Sequence, residues 1–144
     1  VSGEEQALAE RVVAAMMAKD TFSQRLGMEV VEVRPRAATV RMTVTADMLN
    51  GFGVCHGGVT FALADSALAF ASNTHGHVTM SIENSITYPK AIAEGDVLVA
   101  AAAEESESSR LGFYRVEVKR GSDVVALFRG TVYRTKKPFF PDTE

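Results

Sequence analysis

The run from Val59 to Asn73 is apolar at almost every position, rich in Ala and Leu, and broken by a single ionisable residue, Asp65. It is too long for an ordinary strand and is made of good helix formers, so the sequence predicts a helix. Thr74-His75-Gly76 ends it, with Gly76 supplying a left-handed cap. A helix that is apolar all round must be buried on all sides. The rest of the chain therefore has to wrap around it.

What surrounds this helix reads mainly as strand. Arg36 to Thr45 alternates, with Val40, Met42 and Val44 on one face and Thr39, Arg41 and Thr43 on the other, the period of a half-buried strand. Its upstream partner is predicted at Glu29 to Arg34, with Pro35 at the turn. Downstream, Thr79 to Tyr88 places Ile82, Asn84 and Ile86 on one face and is ended by Pro89, before a turn at Glu94-Gly95-Asp96. Val97 to Ser109, Phe113 to Arg120 and Val124 to Arg134 give three more strands, the last two joined by a turn at Gly121-Ser122-Asp123. Strands adjacent in sequence are expected to pair. A strongly curved antiparallel sheet around one long central helix, the logic of the α+β hotdog fold, satisfies this order.

At the N-terminus, Leu8, Val12, Ala15 and Met16 recur at helical spacing between Glu4 and Lys19. Residues 1–20 are thus expected to form an amphipathic helix outside the main core, residues 21–136 the hotdog domain, and residues 137–144 a mobile tail. The chain has 144 residues, enough for one domain with one substantial core. A formal net charge of −3, with no basic run longer than Lys136-Lys137, argues against nucleic acid as a partner. Cys55 stands alone, and the N-terminus lacks a basic-then-apolar leader. A cytoplasmic protein with no membrane span is expected.

Asp65 is the chemical anomaly, because an isolated buried carboxylate is costly unless paired, hydrogen-bonded or neutralised. Such groups cluster at functional sites, although a structural ion pair at a subunit contact explains some of them. Just before the helix stands Asn50-Gly51-Phe52-Gly53-Val54-Cys55-His56-Gly57-Gly58. Glycine lets the backbone approach a ligand, and the free N–H groups of a first helical turn favour an anion, such as a tetrahedral oxyanion. A tight turn is the plainer reading of the glycines alone; Asn50, His56 and Asp65 together shift the balance. Gly57 and Asp65 are eight residues apart, or ~12 Å along one helix. If both act on one carbonyl they must come from two antiparallel copies of the helix, so an isologous dimer with shared sites is expected.

Met42-Thr43-Val44-Thr45, Met48-Leu49-Asn50-Gly51, Cys55-His56-Gly57-Gly58, Leu63-Ala64-Asp65 and Val125-Ala126-Leu127-Phe128-Arg129-Gly130 together resemble the PaaI-type thioesterases of phenylacetate degradation, over roughly residues 20 to 135. The resemblance implies a dimer of hotdog dimers that hydrolyses acyl-CoA thioesters, notably phenylacetyl-CoA and ring-hydroxylated relatives, with no metal and no cofactor beyond the coenzyme A of the substrate. On the matching positions it implies that Asp65 is the general base or nucleophile and Gly57 the oxyanion donor. It gives Asn50 the placing of the carbonyl or water, and His56 a supporting or leaving-group role. Ser81 matches a hydroxyl that assists in related enzymes, and Gly58 completes the supporting set. Phe61, Ser66, Tyr88, Lys90 and Arg110 are the residues expected at the substrate.

Several residues have plainer readings. Cys55 and His56 are neighbours on an extended segment and point to opposite faces, so a thiol nucleophile is disfavoured. His75 and His77 flank Gly76 without a further ligand at convincing spacing, which reads as a solvated turn. Lys90, Arg110, Lys136 and Lys137 suit CoA phosphates or ordinary surface positions equally. Phe61, Phe70, Met80, Tyr88 and Phe113 suit an acyl pocket, but core is the commoner fate of such residues. Two rival functions remain: a hotdog hydratase or dehydratase, which needs a His and an acid aimed at the carbon chain, and a non-catalytic acyl-CoA-binding protein.

Overall fold

The computed structural model describes residues 1–141 of the chain. The elements in order are α1 (Gly3–Lys19), α2 (Thr21–Arg25), β1 (Glu29–Arg34), β2 (Ala37–Thr43), a 3-10 turn (Ala46–Met48), α3 (Gly57–Asn73), β3 (His77–Thr87), β4 (Val97–Glu107), β5 (Leu111–Arg120) and β6 (Asp123–Pro138). The six strands form one antiparallel sheet in the order β1-β2-β4-β5-β6-β3. Its curvature has local causes: extra residues at Val31, Ile82 and Glu105 each bulge a strand and add bend and twist. This is the hotdog arrangement, with α3 held against the inner face of an open, curved sheet.

Pairing of sequence neighbours holds for β1–β2, β4–β5 and β5–β6 but fails for β3, which lies beside β6 at the far edge. The reason is α3 itself, which carries the chain across the inner face between β2 and β3 and leaves β2 to pair with β4. The core lies beneath the helix. Leu63, Ala64, Ala67, Leu68, Phe70 and Ala71 from α3 meet Val40 and Met42 of β2, Leu98, Ala100 and Ala102 of β4, Val116 and Val118 of β5, and Phe128 of β6. Burial on all sides is not what the single chain achieves. Gly58, Ala62, Asp65 and Ala69, at helical spacing, form a stripe that stays partly open.

The N-terminal helix is present, started by the Ser2 hydroxyl, which accepts from the Glu5 amide at 3.1 Å. It does not sit outside the core as expected. Its packed face centres on Ala9, Val12 and Val13, and Val13 belongs to the central apolar cluster. Asp20 then ends α1 and caps α2, its Oδ1 accepting from the Ser23 amide at 2.9 Å. The expected tail boundary at residue 136 is also passed. Strand β6 runs on to Pro138, Phe139 N donates to Gly76 O at 2.7 Å, and Arg11 lies over the Phe140 ring at 4.6 Å. Residues 142–144 of the expected tail lie outside the described residues. Among the described residues, no helix is long and apolar enough to cross a membrane.

His75 is half-buried rather than solvated, and Arg134 Nε donates to its Nε2 at 3.2 Å. Burial first, then the Arg134 charge, lowers its pKa from 6.5 to about 4. Between those values the unfolded chain binds the proton and the folded chain does not, so His75 makes stability fall as pH drops from 6.5 towards 4. Urea midpoints measured across that window should decline less steeply in His75→Gln than in the parent. Equal slopes would show that His75 titrates alike in both states.

Candidate active site

Asp65 lies in the middle of α3, half-buried, on the helix stripe that faces β3. Asn84 Nδ2, on β3, donates to its Oδ1 at 3.3 Å. Burial raises the Asp65 pKa; the Asn84 hydrogen bond opposes that, and the charge of Asp20 adds to it. Beside the carboxyl is a cavity of about 260 Å³ whose lining includes Met16, Leu68, Met80 and Ser81. Ser81 Oγ is 3.4 Å from the same Asn84 nitrogen, so Ser81 and Asp65 are brought together through one amide.

The loop before α3 is built from its own polar groups. Asn50 N donates to Val54 O at 2.8 Å and Gly53 N to Asn50 O at 3.0 Å, with Gly53 at φ +79°. Asn50 Oδ1 accepts from Phe52 N at 2.9 Å, which fixes the side chain as a turn former. Its Nδ2 makes no hydrogen bond among the described residues. The helix begins at Gly57, two residues before the expected start, because His56 caps it: His56 Nδ1 accepts from Gly58 N at 2.9 Å. Val59 N donates to His56 O at 2.9 Å. The Gly57 N–H, by contrast, has no acceptor among the described residues. Tyr88 lies against the same glycine, its hydroxyl donating to Gly57 O at 2.7 Å.

Asn50, His56, Gly57 and Gly58 thus cluster at the start of α3, about two helical turns from Asp65. Cys55 is buried, its thiol pushed up by burial, and its nearest hydroxyl is Thr60 at 3.8 Å rather than the His56 ring. Ser66, expected at the substrate, is 8% exposed and its Oγ lies 2.8 Å from Ser23 Oγ, which in turn donates to Asp20 Oδ2 at 2.6 Å. Phe61 packs edge-on against Phe128, ring centres 5.3 Å apart, and Phe70 is core. Met80, Tyr88 and Phe113 are exposed.

Lys90 and Arg110 are not brought together. Lys90 Nζ pairs with Asp123 Oδ1 at 2.9 Å, beyond one end of β5, whereas Arg110 sits in the turn that enters the other end. A ten-residue strand is ~33 Å long, so one CoA phosphate cannot meet both within one chain. Sequence reasoning missed Asn84 as an Asp65 partner, and missed the Asp20–Ser23–Ser66 chain. The available signal was an amide on the otherwise apolar face of the β3 segment.

The model of the thioesterase superfamily matches residues 52–127, more than half of the chain. A putative esterase of Archaeoglobus fulgidus is 42% identical over 93% of this chain and 88% of its own length. The acyl-coenzyme A thioesterase PaaI of Escherichia coli K12 is 38% identical over 83% of this chain and 86% of its own. The structure of the E. coli PaaI protein, from the phenylacetic acid degradation operon, superposes with a TM-score of 0.90 at 34% identity, covering 92% of this chain and 97% of that one. An acid in the helix, an uncommitted amide at its start and these relationships converge: the chain is a thioester hydrolase of the hotdog fold and belongs to the thioesterase superfamily.

Proposed function

We propose that this enzyme hydrolyses acyl-CoA thioesters, with phenylacetyl-CoA and ring-hydroxylated aryl-acyl-CoAs as its substrates. The observation that carries the reading is the pairing of a half-buried Asp65 with an α3 start whose Gly57 amide is left unbonded while its neighbours are capped. A carboxylate raised by burial is a better base at neutral pH, and a fixed backbone donor stabilises negative charge that develops on a carbonyl oxygen.

In the reaction, the thioester carbonyl accepts from Gly57 N–H of one subunit while Asp65 of the other takes a proton from the attacking water. The new C–O bond places charge on the carbonyl oxygen. Collapse then breaks the C–S bond, and the thiolate of CoA leaves with the proton held by Asp65. In the second route Asp65 attacks the carbonyl itself and expels the CoA thiolate, giving an anhydride that water then opens to the product acid and the free Asp65 carboxyl. Asn50 Nδ2 orients the carbonyl or the water. His56 acts through the cap it places on Gly58, and the reaction needs no cofactor besides CoA.

Two subunits are required because one helix separates Asp65 from Gly57 by ~12 Å. The position of β3 at the sheet edge, with Met80 58% and Ile82 60% exposed, supports its pairing with a second β3, and we extend this to a dimer of dimers. A panel of aryl and straight-chain acyl-CoAs, compared by kcat/KM, tests the substrate class. The expected result is at least a tenfold preference for phenylacetyl-type groups, about 1.4 kcal/mol of transition-state binding; preference for long aliphatic chains would overturn it.

A further inference from the structure

Asn84 is tied to Asp65 by more than one contact. Directly opposite it on β6 stands Gly130, and a Cβ there would lie 2.8 Å from Asn84 Oδ1 and 2.5 Å from Leu68 Cδ2. A side chain at 130 would therefore crowd both Leu68 and the Asn84 amide, and the glycine leaves the amide its room between β6 and α3. The Asn84 carbonyl is buried without a hydrogen-bond partner among the described residues, a cost that an apolar side chain of similar size would avoid. Its Nδ2, by contrast, is aimed at Asp65 Oδ1 and Ser81 Oγ. The amide thus leaves its carbonyl unpaired while its NH2 group meets the one carboxylate of the helix.

We infer that Asn84 is a positioning residue, which holds Oδ1 of Asp65 so that Oδ2 is turned towards the reacting carbonyl; this rests on the reading of Asp65 as the reacting acid. A neutral amide suits the task. It stabilises the carboxylate enough to keep it charged inside an apolar helix, without the loss of basicity that an Arg or Lys partner would bring. The charged group that acts on Asp65 from a neighbouring element is Asp20, where α1 meets α2. The side chains that share its cavity, Met16 from α1 and Thr79, Met80 and Ser81 from β3, are uncharged, and β6 presents Gly130.

The test is the pH dependence of kcat/KM for the intact enzyme carrying Asn84→Leu or Asn84→Asp, with Asp65→Asn measured beside them. Asn84→Leu deletes the donor while filling the space, and kcat should fall about 10- to 100-fold. With the donor gone, the acidic limb of the profile should move up by about half a unit or more. Asn84→Asp keeps the shape but sets a second carboxylate against Asp65, and the limb should move further in the same direction. An unmoved limb in both variants, or activity lost only in proportion to melting temperature, would overturn the role of Asn84 while an inactive Asp65→Asn left the reading of Asp65 standing. An active Asp65→Asn would overturn both.

Discussion

Asp65→Asn should lower kcat by about 10³-fold or more, since the amide can neither take a proton from water nor attack a thioester, and general acid–base groups contribute on that scale. The fold should survive, because Asp65 is paired with a neutral amide rather than with a cation that would be left stranded. Removing a half-buried charge from an apolar helix costs the folded state little. Circular dichroism and gel filtration should match the parent, with turnover followed by thiol release. Near-parental turnover would remove Asp65 from the chemistry. Single-turnover hydrolysis in ¹⁸O-labelled water of the parent then separates the routes: direct water attack labels only the product acid, whereas an anhydride opened at the Asp65 carbonyl labels the enzyme.

Gly57→Pro is the sharper experiment, because it deletes a single N–H at a position able to accept proline. Gly57 is the first residue of α3, where proline is well tolerated, and its own amide makes no bond among the described residues. The preceding His56 sits at φ −60°, ψ 131°, the extended geometry that a following proline requires. A side chain here would come within 3.0 Å of the Tyr88 hydroxyl, which donates to Gly57 O and would have to shift, and Gly57→Ala controls for that contact while keeping the N–H. Proline should cost about 10²- to 10³-fold in kcat relative to alanine, the usual worth of one oxyanion donor. Coexpression of Asp65→Asn with Gly57→Pro then tests subunit sharing. Each mixed dimer would contain one site with both groups intact, and random assortment should restore about a quarter of parental activity. If both groups came from the same chain, every site would carry one defect and mixing would restore nothing.

The fold was largely legible in the sequence because its strongest patterns are local. The apolar run defines α3, the alternation around Val40, Met42 and Val44 defines β2, and the glycine turns separate the later strands. The place of β3 was not legible, since its pairing with β6 depends on where α3 delivers the chain rather than on either strand's own pattern. Nor was α2, whose five residues are too few for a period and whose only mark is the Asp20 cap. Of the candidate site, His56, Gly57 and Asp65 stood out in the sequence because their neighbours are glycines or apolar residues. Ser66 is placed apart from Asp65 for a geometric reason: the residue after Asp65 is turned roughly 100° around the helix, towards Ser23 rather than towards β3. Lys90 and Arg110 were each named by charge alone, and a sequence carries no sign that β5 holds them at opposite ends.

The bulge at Ile82 leaves Ser81 and Asn84 three residues apart yet turned to the same side of the sheet. On a regular strand that spacing would put them on opposite faces, so the hydroxyl–amide pair cannot be grafted as a sequence word into an unbulged homologue. Anyone transplanting it must move the extra residue as well, or rewrite the pair at a spacing of two. Deleting Ile82 does the second of these, since it removes the bulge and leaves Ser81 and Asn84 two positions apart on a regular strand, still on one face.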